Sequence, residues 1–150
     1  MSKRILVAVD GSEEAAEALR FAADEWPDAE LTALHVINPA DSATGAEGGF
    51  PGASDQWYES AKQRGERVLS ETTEAVGREI ETRLEVGRPT KTILDVAGGE
   101  EPVGGDDGSG EPFDHVVLAS RGRTGISRVL LGSVAEGVVR RAEVPVTVVR

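Results

Sequence analysis

RILVAVDGSEEAAEALRFAADEWPDAELTALHVI (residues 4–37) contains a strand, a helix and a second strand in succession. The first run, residues 4–10, is short and apolar and closes on Asp10, Gly11 and Ser12. It reads as a buried strand feeding a helix whose N-cap is Ser12. Leu19, Ala22, Ala23 and Trp26 follow at helical spacing on one face, and Pro27 ends the helix. ELTALHVI (30–37) is the second strand.

The same alternation continues outward. Residues 38–54 hold Gly, Pro, Asp and Ser and read as a loop. A long helix is expected from about Asp55, with Ala61, Val68, Leu69, Thr72, Val76 and Ile80 as its inner stripe. Residues 81–87 form a third, more charged strand, and Thr90 to Ala97 a short helix. The segment 98–112, GGEEPVGGDDGSGEP, has too little apolar surface to order itself and is expected to be a mobile acidic loop. FDHVVLAS (113–120) is the fourth strand, Ser133 to about Ala142 the last helix, and VPVTVVR (144–150) the fifth strand. Apolar strands alternating with helices imply βαβ units and a mostly parallel sheet covered on both faces, here in one domain spanning 1–150. In such sheets ligands bind beyond the C-terminal strand ends, where strand order reverses. Residues 10–12 and 119–133 are the two stretches so placed.

Composition narrows the function. The 150 residues carry a formal charge of −11, which argues against nucleic acid and anionic membranes as partners, because a phosphate backbone demands a basic footprint. With 27 acidic residues and lysine only at Lys3, Lys62 and Lys91, the surface suits a high-salt cytoplasm, where self-repulsion is screened. No apolar run approaches the ~20 residues of a membrane span. The opening MSKRILVAVDG lacks the pattern of a secretory signal, so the expected location is cytoplasmic. The absence of cysteine excludes disulfides and thiolate chemistry.

The two candidate strand ends differ in charge. Glu13 and Glu14 open the first helix and already occupy the positive field of its N-terminus. The fourth-strand end instead carries Arg121, Arg123 and Arg128 among Gly122, Gly125 and Gly132, with no acid until Glu136. Glycines let backbone N–H groups approach an anion closely, so this loop reads as a phosphate cradle. The same residues also read without a ligand: Ser133 and Glu136 form S-x-x-E, a capping box, and the glycines make a long turn. Both readings stand on spacing and charge alone. Asp10 reads equally as a turn-forming Asx residue. His35 and His115 are single strand residues, read as packed or surface imidazoles rather than catalysts. GGDDGSG has no basic partner for a phosphate and reads as solvated acid rather than a calcium site.

ILVAVDGSEEA (5–15), LHV (34–36), GRPTKTILDVA (87–97) and SRGRTGISRVLLGSVAEGVVRRAEVPVTVV (120–149) together resemble the universal stress protein family over nearly the whole chain. ATP-binding members carry G-x-x-G, nine residues, then G-[ST]. Here Gly122, the nine residues 123–131 and Gly132-Ser133 keep the spacing, while Ala119 replaces the first glycine. The resemblance implies a Rossmann-like fold of the adenine nucleotide alpha hydrolase type, with a five-stranded parallel sheet in the order 3-2-1-4-5 and helices on both faces. It implies ATP as ligand, with a divalent cation, Mg2+ or Mn2+. Asp10 would face the ribose, Val36 and Leu118 would line the adenine, and Gly122, Gly132, Ser133 and Val134 would surround the phosphates. Ala8, Ala119 and Arg123 belong to the same expected site.

In the fifth strand Val144, Val146 and Val148 point one way, Thr147 and Val149 the other. An edge strand this apolar needs a partner. The resemblance implies a homodimer joined through Val144 to Val149 by two-fold pairing. The expected role is a stress-response regulatory module, not an enzyme, since the loop offers no lysine and no evident base for phosphoryl transfer. Slow hydrolysis would fall to Asp10. The rival is a nucleotide-free dimeric interaction or chaperone-like module, which Ala119 favours.

Overall fold

Nine elements alternate along the chain in a computed structural model that describes residues 2–40, 53–100, 110–120 and 131–150. They are β1 (Arg4–Ala8), α1 (Glu13–Glu25), β2 (Glu30–Ile37), α2 (Ala53–Glu74), β3 (Glu81–Val86), α3 (Pro89–Ala97), β4 (His115–Ala119), α4 (Ser133–Arg141) and β5 (Val146–Val149). The strands form one parallel sheet in the order β3-β2-β1-β4-β5. This is the arrangement that the resemblance implies.

Strand β1 lies at the centre. Ile5, Leu6 and Val7 are fully buried and register with Leu31, Thr32 and Ala33 on one side and with His115, Val116 and Val117 on the other. Their alternation divides the interior in two. Ile5, Val7 and Val9 pack with Leu19 and Ala22 of α1 and Leu69 of α2; Leu6, Leu34, Val116 and Leu118 pack with Ile93 and Val96 of α3 and Ala135 and Val138 of α4. A strand buried on both faces has no polar alternation, and this is why its sequence reads as a continuous apolar run. α1 and α4 therefore leave the two neighbouring strands toward opposite faces, which opens the crevice of a doubly wound sheet at the ends of β1 and β4.

Several boundaries differ from expectation for local reasons. Strand β1 stops at Ala8, because Gly11, with φ +90°, turns the chain toward α1. Helix α2 ends at Glu74 rather than running on to Ile80. There Thr72 and Thr73 hydroxyls donate to the carbonyls of Val68 and Leu69, the back-bonding that weakens a helix, and Gly77 at φ +76° reverses the chain. Val76 and Ile80 still reach the core from the turn. The fourth strand begins at His115, leaving Phe113 buried beneath the Arg4 guanidinium, 4.4 Å from the ring centroid. The expected mobile stretch 98–112 lies mostly outside the described residues, as do Arg121 to Leu130.

Helix α1 has no basic residue in its last turn; Arg78, beyond α2, supplies that charge from a distance. Its guanidinium donates to the carbonyls of Ala23, Trp26 and Ala29. Hydrogen bonds to a charged group contribute more than neutral ones, so Arg78→Ala is expected to lower stability by about 1.5–3 kcal/mol, read from urea denaturation.

Candidate functional site

The residues leaving β1 are held in a tight turn. The Oδ1 of Asp10 accepts from the Ser12 backbone N–H at 2.9 Å and from the Ser12 hydroxyl at 2.6 Å. Ser12 Oγ in turn accepts from the Ala15 N–H at 3.1 Å, which makes it the N-cap of α1. Glu13 and Glu14 complete this first turn, so the positive end of α1 is satisfied by the chain itself.

The end of β4 is built differently. Ser120 is buried, its N–H donates to the Val149 carbonyl, and its own carbonyl accepts from the Gly132 N–H at 2.6 Å. That bond pins the start of α4 against the end of β4. The expected capping box does not form. Gly132 is the N-cap, Ser133 is already helical and exposed, and among the described residues no side-chain cap closes the first turn. The carboxylate of Glu136 turns the other way and pairs with Arg140 at 3.0 Å, an i,i+4 partner. Among the described residues, α4 rather than α1 presents a first turn without a side-chain cap, an arrangement whose backbone N–H groups attract an anion.

The sheet gathers most of the expected site on one side. Ala8, Val36, Leu118 and Val134 all pack with the cluster of α3 and α4. Leu118 is buried, the other three half-buried. Asp10 is half-buried at the adjoining strand end. Ala119 packs with the opposite cluster, beneath α1, so the methyl that replaces the motif glycine is directed away from those four side chains. Gly122 and Arg123 lie outside the described residues. Glu85 went unmarked in the sequence: it registers with Val36, pairs with Arg83 at 3.5 Å and keeps its Oε2 buried without a hydrogen bond. Only the β2–β3 register reveals it.

Fold and site together define a doubly wound α/β protein with a crevice at its switch point, suited to an anionic ligand. Comparison with known sequences names the class: a profile of the Universal stress protein family matches residues 1–103 and 109–150, and the chain belongs to that family. A universal stress protein of Methanocaldococcus jannaschii is 32% identical over 157 residues, covering 99% of this chain and 82% of the relative. A putative universal stress protein of Staphylococcus haemolyticus is 33% identical over 154 residues, with 99% and 84% covered. Among solved structures, universal stress protein UspA from Lactobacillus plantarum is similar at a TM-score of 0.67 and 27% identity, covering 99% and 97% of the two chains. A universal stress protein solved in complex with cAMP is alike in fold, with a TM-score of 0.61 at 23% identity and 99% and 97% coverage.

Each histidine has a hydrogen-bond partner on a neighbouring strand or strand end. The Nδ1 of His35 bonds the Val9 carbonyl at 2.9 Å. His115, at the opposite strand end, has Nε2 2.6 Å from Thr147 Oγ1 and its ring 4.9 Å from that of Trp26. Burial, and secondarily the charge of Lys3, push the His115 imidazole below its ordinary value of 6.5. The unfolded chain therefore takes up this proton first, so the associated stability is full above about pH 6.5 and declines as pH falls through the lowered folded-state value. His115→Gln is expected to flatten this acid-side slope in denaturation measured from pH 7.5 to 5.

Proposed function

We propose that this universal stress protein binds an adenine nucleotide, ATP with a divalent cation, in the crevice between the ends of β1 and β4. The observation that carries the reading is the glycine-capped first turn of α4, tied to β4 by the Gly132 to Ser120 bond beside half-buried apolar side chains. The apolar floor of Ala8, Val36, Leu118 and Val134 suits a base, the backbone N–H groups of α4 suit phosphates, and the carboxylate of Asp10 suits ribose hydroxyls. A protein of the same fold was solved with cAMP, which supports the adenine moiety. A divalent cation would be carried into the site on the nucleotide's phosphates.

The role is that of a regulatory module rather than an enzyme. Phosphoryl transfer needs a positioned nucleophile and a base, and the strand-end carboxylate of Asp10 already holds Ser12 through Oδ1. Isothermal titration with Mg-ATP in concentrated KCl, against GTP and AMP, tests the reading. Saturable, adenine-selective heat is expected, and its absence from folded, nucleotide-free protein would sink the proposal. Gly132→Asp separates binding from folding. At φ −71° the backbone is one that any residue adopts, and Asp is a favourable N-cap, but its carboxylate would oppose the phosphates. Retained stability with lost ATP binding is expected; unimpaired binding would remove the phosphates from α4.

The second part of the proposal is a homodimer through β5. This strand is at the sheet edge, its four side chains are only half-buried, and Val139 on neighbouring α4 is 45% exposed. A two-fold pairing would cover that edge symmetrically. Val148→Lys is expected to convert dimer to monomer in light scattering at high salt. A parent protein that is monomeric, or a variant that remains dimeric, would move the interface elsewhere.

A further inference from the structure

Both peptide groups of Val9, the residue before Asp10, are gripped by β2. The Val9 N–H donates to the Leu34 carbonyl at 2.8 Å, and the Val9 carbonyl accepts from Nδ1 of His35, the next residue along, at 2.9 Å. A carbonyl oxygen can only accept, so in this bond the imidazole carries a proton on Nδ1. The turn bearing Asp10 thus has two tethers, Ser12 on its side chain and His35 on the peptide that precedes it.

Helix α2 sets the imidazole. His35 registers with Leu84 of β3, and Gly65 of α2 stands over both. A Cβ at Gly65 would come within 2.9 Å of His35 Cδ2 and 2.7 Å of Leu84 Cδ1, so the ring fills the space that a side chain at 65 would need. Three residues on, and therefore on the same face of α2, Val68 lies over the turn: its Cγ2 would be 3.2 Å from a Cβ at Gly11. Helix α2 bears on Val9 through His35 and on Gly11 directly, one residue to either side of Asp10.

We propose that His35 is a positioning residue for Asp10, locked by α2 at Gly65, and that α2, which also bears on the Asp10 turn through Val68, is thereby energetically coupled to the nucleotide site. This rests on the reading of Asp10 as part of that site. Coupling is reciprocal: whatever displaces α2 weakens nucleotide binding, and bound nucleotide steadies α2.

The test compares the parent with His35→Leu and His35→Asn by titration with Mg-ATP, together with amide hydrogen exchange at Ser12 and along α2. Leucine keeps the bulk and loses the donor, and one lost neutral hydrogen bond is expected to weaken ATP binding about tenfold. Asparagine places Nδ2 where Nδ1 stands and is expected to bind within roughly threefold of the parent, a rescue that packing alone would not produce. ATP is expected to slow exchange in α2 of the parent. A leucine variant that binds like the parent, or leucine and asparagine variants equally weakened, would overturn the proposal and leave the nucleotide reading intact. A parent that takes up no Mg-ATP defeats that reading instead, and Ser12 exchange then decides: faster in the leucine variant alone supports positioning, equal in all three rejects it. Should His35→Leu fail to fold, Val68→Ala, which withdraws α2 from Gly11, is expected to weaken ATP binding, and unchanged binding would reject the coupling.

Discussion

The backbone hydrogen bonds that join β1 to β2 along one edge and to β4 along the other hold the rest of this protein in place. Because both edges are occupied, Ile5, Leu6 and Val7 are sealed between two helical layers. The chain leaving this strand crosses to one layer with α1, while α3 and α4, on either side of β4 in the sequence, lie in the other. The crevice is a consequence of that divergence. Its floor, its charge and its access follow from which side chains happen to stand at two strand ends.

Those ends are treated oppositely by the chain. At β1 the Asp10, Ser12, Glu13 and Glu14 side chains consume the donors and the positive field of α1. At β4 Glu136 turns to Arg140 and Ser133 enters the helix, so neither side chain caps α4. Two helix ends at one switch point are thereby made unlike in charge and in capping. The same economy holds elsewhere: Arg78 serves as the cation that α1 lacks, and His35 serves as a hydrogen-bond donor to the Val9 carbonyl.

Much of the architecture was legible because local and tertiary requirements agree. The apolar run of β1, the cap at Ser12, the stop at Pro27 and the helical spacing of Leu19, Ala22 and Ala23 all point to the unit that forms. The readings that failed are those in which two local chemistries compete. Ser133 and Glu136 have the spacing of a capping box, yet the Ser120 to Gly132 bond starts the helix one residue earlier and an i,i+4 arginine claims the glutamate. The stripe through Val76 and Ile80 has helical period, yet threonine back-bonding and Gly77 end α2 first.

The sequence by itself determined the succession of strands and helices, the acid-rich surface, and the spacing that marks the family, since each depends on residues near one another in the chain. Only the tertiary structure decided which side chains share a face. It set Ala8, Val36, Leu118 and Val134 together, sent Ala119 to the other layer, brought Glu85 beside Val36, and placed Gly65 over His35. The physical reason is that side-chain direction in a sheet alternates with a period of two, so neighbourhood across strands is a matter of register. Register is fixed by the simultaneous packing of both layers against the central strand, a condition that no single stretch of the sequence contains.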